Sequence, residues 1–410
     1  MPGQCPPSDI LPFLKGLFPL SRHDQVMLVG GTVRDLLLGI NPHDIDLVTT
    51  LPSDELLPLG FRLVEASSSI DIYFKHHPLF GKIEVTRIDT MADLEDDLRK
   101  RDFTINAIAM SLSGICSDPL TGKEDLESRT LRICSEKSFS GDPLRIFRAF
   151  RFEADGWNMT AETEAMIRCV NWSAALSAMP VERFSNEMLK ALARKQPERF
   201  FQRMVELNTG VEFLPELFRL PSIPAGPLQH HPEGDLFSHS IQVLQRVAIE
   251  TDNPLARFCG FFHDLGKLDT DPVLYPKHHG HDTIGFGMAV ELCNRLSLSS
   301  AQRKALAWIS ALHGKANLWK TLRDSTRLTM AEQSIKADIV EILPVVARAD
   351  KAGGLPMLGW DEVVRVAGMN TRELGIDAVK LEQMPIKKRK AYILQKRILV
   401  LNDSFSYRKN

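Results

Sequence analysis

Residues 26–48 read VMLVGGTVRDLLLGINPHDIDLV, and the way this stretch folds decides the rest of the 410-residue chain. The apolar run 26–29 has the length and composition of a buried strand. Gly30-Gly31 lets the backbone turn sharply and approach a ligand with no side chain between. Thr32, Val33 and Arg34 open a helical pattern that stops near Gly39, and Asn41-Pro42 supplies a turn. A second strand then begins at Asp44-Ile45-Asp46. Alternate side chains of a strand share a face, so Asp44 and Asp46 point one way while Ile45 turns into the core. Two carboxylates on one face repel unless a cation lies between them. Mg²⁺ suits that place, because it is held by few carboxylates together with substrate phosphates. The free amides of the glycine turn and the helix N-terminus favour a polyphosphate, and Arg34 adds a charged fork. A lone D-x-D would read as a solvated strand end; beside G-G-x-V-R-D it reads as a catalytic pair.

The combination resembles the polymerase-beta-like nucleotidyltransferases, and more narrowly the bacterial tRNA nucleotidyltransferase and poly(A) polymerase family. That resemblance implies an α+β protein: a mixed-sheet head, an all-α neck and body, and an α-helical HD domain. It implies that Gly30, Gly31 and Arg34 bind nucleotide and that Asp44 and Asp46 are catalytic and bind two Mg²⁺ ions. The expected divisions are an N-terminal extension over 1–22, the head over 23–138, the neck and body over 139–220, the HD domain over 228–355 and a helical tail over 356–410. Prolines 215, 221, 224, 227 and 232 mark the expected linker.

Composition limits the alternatives. A chain of 410 residues has room for several cores. Its net charge of −2 excludes a globally basic nucleic-acid binder, so any RNA surface must be a local concentration of Lys and Arg. The 6 cysteines show no C-x-x-C spacing, which points away from a zinc knuckle or a disulfide framework. No apolar run approaches the roughly 18 residues of a membrane span. The expectation is a soluble cytoplasmic protein with no membrane partner, monomeric or homodimeric.

Residues 70–74 and 82–87 alternate as strands. Glu84 reads either as a third carboxylate near the Asp pair or as an edge-strand charge. In 94–109, LEDDLRKRDFTINAIA, the i,i+4 spacing of acids and bases explains part of the pattern. The run Arg101-Asp102-Phe103-Thr104-Ile105-Asn106-Ala107 is similar to the family's R-R-D-F-T-x-N-A motif, with Lys100 in the place of the first Arg. The resemblance assigns nucleotide contact to Arg101 and leaves Asp102 and Asn106 to hold the pocket. Only 88–96 separates Arg87 from Asp97. Family members that build the whole C-C-A end carry a longer flexible loop there, so the short connector implies an enzyme that adds two cytidines from CTP and stops. Complete addition with CTP and ATP, poly(A) synthesis and a phosphohydrolase acting in RNA repair are the alternatives.

Residues 139–152, FSGDPLRIFRAFRF, place Arg145, Arg148 and Arg151 along one helical face, drifting about 60° per step. Ile146, Phe147, Ala149, Phe150 and Phe152 take the apolar side. An arginine row among phenylalanines suits bound anions. The segment is similar to the family's E-D-P-L-R-x-L-R-A-x-R-F, in which the Asp and first Arg read the incoming base as a protein template. This assigns Asp142 and Arg145 to the base and Arg148 and Arg151 to the nucleotide. Gly141 replaces the family's Glu. Glu182 and Glu187, in a stretch similar to P-E-R-x-x-x-E, are read as structural braces.

A second constellation follows: His239, His263-Asp264, His281, His313 and Asp350. Imidazole and carboxylate together suit a hydrated divalent metal. The order H…HD…D looks like the HD phosphohydrolase superfamily. That implies His239, His263, Asp264 and Asp350 as ligands of Mg, Mn or Ni, with Lys267 against the phosphate and His281 or His313 on a second ion or leaving group. The basic run Lys387-Lys388-Arg389-Lys390 reads as a solvated face or as an RNA contact.

Overall fold

A computed structural model describes residues 9–64 and 71–407. The start of the N-terminal extension, Cys5 and Ile70 of the expected strand lie outside the described residues. The chain divides into two compact units, Met1–Ala175 and Leu176–Asn410.

The first unit is built on a seven-stranded mixed sheet, with strands β1 (Val26–Leu28), β2 (Ile45–Thr49), β3 (Arg62–Val64), β4 (Ile72–His77), β5 (Gly81–Arg87), β6 (Ala109–Ser111) and β7 (Cys116–Ser117). Its order is β3-β4-β5-β2-β1-β6-β7. β2 and β5 run parallel, and the other pairs are antiparallel. Alternation sorts the strands' residues onto two faces. Leu28, Ile45, Leu47, Ile83 and Val85 join a core closed by Ile10 and Leu14 of the helix Ile10–Leu17. Met27 and Val48 face the other way, against Leu94 and Leu98. Asp46 lies on this second face by register.

The helix Gly30–Leu37 begins at the first glycine of the pair, two residues earlier than the periodicity indicates, because a left-handed Gly30 starts it. The connector after Arg87 is compact: Thr90 and Asp93 form a capping box that opens a short 3₁₀ turn. Residues 139–152 form two pieces rather than one helix. Ser138–Gly141 ends at Asp142, and Pro143 precedes Leu144–Glu153, since proline cannot donate within a helix interior.

The second unit is helical. Leu236–Glu250, Pro254–Phe262, His281–Arg295, Ser300–Ala316, Asp324–Ala337 and Ile342–Ala349 form the part that carries the histidines. Trp360–Gly368, Ala378–Gln383 and Ile386–Tyr407 follow. The proline-rich stretch expected to be the linker is packed, with Leu217, Leu220 and Ala225 buried. Asp235 caps the helix Leu236–Glu250 by accepting from Ser238 N at 2.8 Å.

Gly266 allows the 3₁₀ turn after His263-Asp264 to meet the helix His281–Arg295 backbone to backbone. A Cβ there would lie 2.1 Å from His281 O and 2.4 Å from Gly285 N. Gly266→Ala must therefore push the two elements apart. Chemical denaturation should show a loss of about 2–3 kcal/mol in this unit, whereas Gly287→Ala, where a Cβ meets open space, should not lower stability.

Candidate functional site

The glycine turn sets the geometry of the first site. Gly30 has φ +67°, and a Cβ there would stand 2.9 Å from Arg101 Nη1 and 3.0 Å from Asp46 Oδ2. Backbone conformation and close approach both demand glycine. The same contacts place Arg101 and Asp46 side by side at the helix start. Asp46 N donates to Thr32 Oγ1 at 2.7 Å, and that hydroxyl donates to Asp44 O at 3.2 Å, tying β2 to the helix. Asp44 is exposed just ahead of the strand and accepts from Lys82 N at 3.3 Å. Asp46 and Glu84 are register partners across the parallel pair, with Glu84 ion-paired to Lys82. Burial pushes the Asp46 carboxyl up; Arg101 opposes this, while Glu84 and Asp44 add to the rise. A carboxylate group strained by like charges and open at Asp44 fits a hard divalent cation.

A line of hydrogen bonds runs from this helix to the arginine helix. Arg34 donates to Asn106 Oδ1 at 2.8 Å, and Asn106 donates to Asp102 Oδ1 at 2.9 Å. Arg148 closes on Asp102 Oδ2 at 2.6 Å. Burial alone would raise the Asp102 carboxyl; the Arg148 guanidinium, with bonds from Asn106 and the Phe103 amide, holds it well below the usual carboxylate range. Arg148 is thus committed to a buried carboxylate. Arg145 donates to Lys100 O at 2.7 Å and to Arg101 O at 3.2 Å. Asp142 accepts from Leu144 N at 3.2 Å. Arg101 therefore joins the parts, with its side chain at Asp46 and its carbonyl at Arg145. The guanidinium carbons of Arg34 and Arg151 lie 5.3 Å and 4.7 Å from the Phe152 ring centre.

In the second unit the structure brings His239, His263, Asp264 and Asp350 together, all buried, with one ligand atom of each within 4.8 Å of the others. His263 Nε2 lies 3.2 Å from both carboxylates, and His239 Nε2 lies 3.1 Å from Asp350 Oδ1. The far ring nitrogens are spoken for. His263 Nδ1 meets Gly260 O at 2.8 Å, and His239 Nδ1 meets Glu233 Oε1 at 2.6 Å. Such partners orient an imidazole so that Nε2 faces a metal. Burial would lower both imidazoles, but the carboxylates around them raise His239 to about 10 and His263 to about 9. Asp264 Oδ1 is buried without a hydrogen-bond partner. Two imidazoles and two carboxylates fit a divalent ion, and the orphaned Oδ1 lies on the side of Asp264 where His281 and His313 form a second group with it.

His281 and His313 lie 3.5 Å and 3.2 Å from Asp264 Oδ1, the oxygen facing away from His239 and His263. Lys267, expected to meet phosphate, is buried and donates at 2.7 Å to both Asp264 Oδ2 and Ala225 O, so its charge is spent inside the protein. His278 is a satisfied core residue between Thr270 and Pro224. Two members escaped the sequence reading. Glu233 comes from a loop with no periodicity, although it stands in HPEGDLFSHS. Asn317, which donates to Asp350, lies one helical turn beyond His313, and that i,i+4 spacing is a usable signal.

Comparison with known proteins agrees with this architecture. A family model described as the Poly A polymerase head domain matches residues 26–62 and 74–132. The HD domain model matches 236–350, and one described as a probable RNA- and SrmB-binding site of polymerase A matches 158–220. The "Multifunctional CCA protein" of Methylococcus capsulatus is 33% identical over 383 residues, 88% of this chain and 89% of that protein. Its namesake in Teredinibacter turnerae is 35% identical over 306 residues, 70% of this chain and 74% of that protein. Among solved structures, the Bacillus stearothermophilus CCA-adding enzyme in complex with CTP is similar in fold, with TM-score 0.63 and 22% identity over 98% of this chain and 94% of that one. The fold defines a polymerase-beta-like nucleotidyltransferase head followed by a helical HD domain. The chain belongs to the bacterial tRNA nucleotidyltransferase family.

The Asp102–Arg148 pair yields a signed expectation. A depressed carboxyl contributes stability that is present above its unfolded pKa, about 3.9, and lost as pH falls toward the lower folded value. Asp102→Asn, which leaves the partly exposed Arg148 without its counter-charge, should cost about 1–3 kcal/mol at neutral pH. Urea titrations from neutral to acid pH should show the gap between wild type and variant narrowing as pH drops below about 4.

Proposed function

We propose that the chain builds the 3′ C-C-A end of tRNA from CTP and ATP without a nucleic-acid template. The observation that carries this reading is the placement of Arg101, with its side chain against Asp46 and the glycine turn and its carbonyl under Arg145. It is supported by relatives named multifunctional CCA proteins over most of their length. In this reading the head spans 23–138, the neck and body 139–220, the HD domain 228–355 and the tail 356–410.

The amides of Gly30 and Gly31, with Arg34 and Arg101, bind the triphosphate at the helix N-terminus. Asp142 and Arg145 read the base edge, with Arg145 exchanging a backbone carbonyl for the base; a base that leaves their donors and acceptors unmatched is rejected. Arg148 acts through Asp102, keeping the nucleotide-binding arginines in place. Arg151, held over the buried Phe152 ring, gives the nucleotide a charged flank. The tRNA 3′-oxygen forms a bond to the α-phosphorus, the bond from that phosphorus to the bridging oxygen breaks, pyrophosphate leaves, and the hydroxyl proton passes to solvent. Asp44 and Asp46 would hold Mg²⁺, which would supply activation of the hydroxyl and neutralisation of the phosphates. The tRNA is gripped by backbone and shape, with Lys387, Lys388 and Lys390 exposed for phosphate contact and Arg389 partly spent on Met384 O and Glu382 O. The work would be done in the cytoplasm; among the described residues no helix is long and apolar enough to cross a membrane. The four-residue cluster of the second unit would hold Mg, Mn or Ni, which supplies an activated water for hydrolysis of a phosphate ester.

A specific observation favours a second reading. The capped turn at 90–93 makes the connector short and closed, which suits an enzyme that stops after two cytidines. Purified protein given tRNA lacking its C-C-A end with CTP and ATP should yield product ending in C-C-A. Product ending at C-C despite ATP would overturn the first reading and establish the second, and long adenosine tails would overturn both.

The two centres should also separate. Asp46→Ala should lower nucleotide addition by about a hundredfold or more and leave phosphate-ester hydrolysis intact. His263→Ala should do the reverse. Loss of both activities in either variant, with the fold preserved by circular dichroism, would rule out independent sites.

A further inference from the structure

Part of the sheet's second face carries no buried cover. The cluster on that face takes Met27, Val48 and Ala109 from β1, β2 and β6, and among the described residues none of its buried members comes from β3, β4 or β5. Register places the side chains of the open part. Asp46 pairs with Glu84, Glu84 with Phe74 and Phe74 with Arg62, so these form one row across β2, β5, β4 and β3. In the next row His76 pairs with Lys82, and Lys82 N donates to Asp44 Oδ1 at 3.3 Å. Alternation keeps Phe74, His76, Lys82 and Glu84 on the face of the Asp pair. Gly81 draws the two strands together at this end. It has φ +69°, and a Cβ there would stand 2.4 Å from His43 O, so β5 starts directly against the segment that carries Asp44.

The chemistry of this surface suits a single nucleic-acid strand. Lys82 is ion-paired to Glu84 and so is held beside the Asp pair. Phe74 is half-buried and His76 is exposed. Their ring centres lie 6.0 Å apart with the planes at 76°, so one ring can carry a base while the other meets its edge. Arg62 is exposed one strand further out. Aromatic faces beside a row of cations bind bases by stacking and the backbone by charge. Position relative to the Asp pair selects which strand is bound. Gly30, which follows β1, brings Arg101 against Asp46, and β5 flanks β2 on the opposite side. In phosphoryl transfer the attacking and leaving oxygens stand roughly in line. With the triphosphate and its departing pyrophosphate on the glycine side, the attacking hydroxyl arrives from the β5 side.

We propose that the open face of β4 and β5 seats the 3′-terminal nucleotide of the acceptor RNA, with its base against His76 and Phe74 and its 5′-phosphodiester on Lys82. The inference rests on the nucleotidyl-transfer reading of the Asp44–Asp46 site and names where that site takes its acceptor. Glu84 tethers the Lys82 ammonium next to the reacting hydroxyl, and Arg62 continues the positive charge toward the preceding phosphate. Lys82 and His76 are thus positioning residues for the acceptor, as Arg34 and Arg101 are for the triphosphate.

The test uses the full chain with Mg²⁺, CTP, ATP and tRNA lacking its C-C-A end. Lys82→Ala and His76→Ala should each raise KM for tRNA about tenfold, with KM for CTP and kcat nearly unchanged. Lys82→Ala should also reduce the salt dependence of tRNA binding by about one unit of slope. Lys82→Arg and His76→Phe should restore the wild-type KM, which a loss of folding would not allow. A tRNA whose 3′-terminal residue lacks its base should bind wild type as weakly as intact tRNA binds His76→Ala, and that variant should weaken it no further. Unchanged KM for tRNA in both alanine variants, with addition intact, would overturn the acceptor seat and leave the transfer reading standing. A rise in KM for CTP, or a fall in kcat, with KM for tRNA unchanged would overturn it equally. Failure of wild type to extend the tRNA at all would overturn the transfer reading and the seat with it.

Discussion

The first unit depends on one ion pair whose carboxylate is buried. Asp102 is almost fully removed from water, and an isolated carboxylate there would be severely penalised. Arg148 meets it at 2.6 Å, while Asn106 and the Phe103 amide satisfy its other oxygen. Both carboxylate oxygens are therefore hydrogen-bonded, the condition under which burial of charge is tolerated. Because Asn106 also receives Arg34, the same network fixes the helix after the glycine turn relative to the helix Leu144–Glu153. A long flexible side chain such as arginine loses entropy when it is held in one place, and this network supplies the bonds that hold Arg34 and Arg148.

The histidine-bearing part of the second unit is organised by the two oxygens of Asp264. Oδ2 faces His239, His263 and Lys267, and Oδ1 faces His281 and His313. Lys267 brings positive charge to a buried carboxylate from inside the fold. The neighbouring imidazoles are raised by the same carboxylates that would share a metal with them. Gly266 makes this crowding possible, because any side chain there would separate the turn that carries Asp264 from the helix that begins at His281.

Glycines thus recur at the decisive close approaches of both units. Gly30 leaves room for Arg101 and Asp46, and Gly266 and Gly354 let backbone meet backbone beside the second cluster. In each case the missing Cβ is replaced by a functional group or a carbonyl.

Much of this was legible in the chain itself. Strand alternation put Ile45 in the core between two carboxylates, and the GG turn marked the start of the helix, because both are local consequences of backbone geometry. The order of His239, His263-Asp264 and Asp350 also indicated a metal-binding cluster, since few other arrangements explain adjacent His-Asp in an apolar run. Tertiary structure alone decided the rest. The commitment of Arg148 to Asp102, the inward turn of Lys267 onto Ala225 and the recruitment of Asn317 by Asp350 join residues far apart in sequence, while Glu233 reaches His239 from only six residues away along a loop without periodicity. No local periodicity encodes which of several equivalent charges will be desolvated together. That choice is made when the elements pack, and it falls to the charge whose partner is buried beside it.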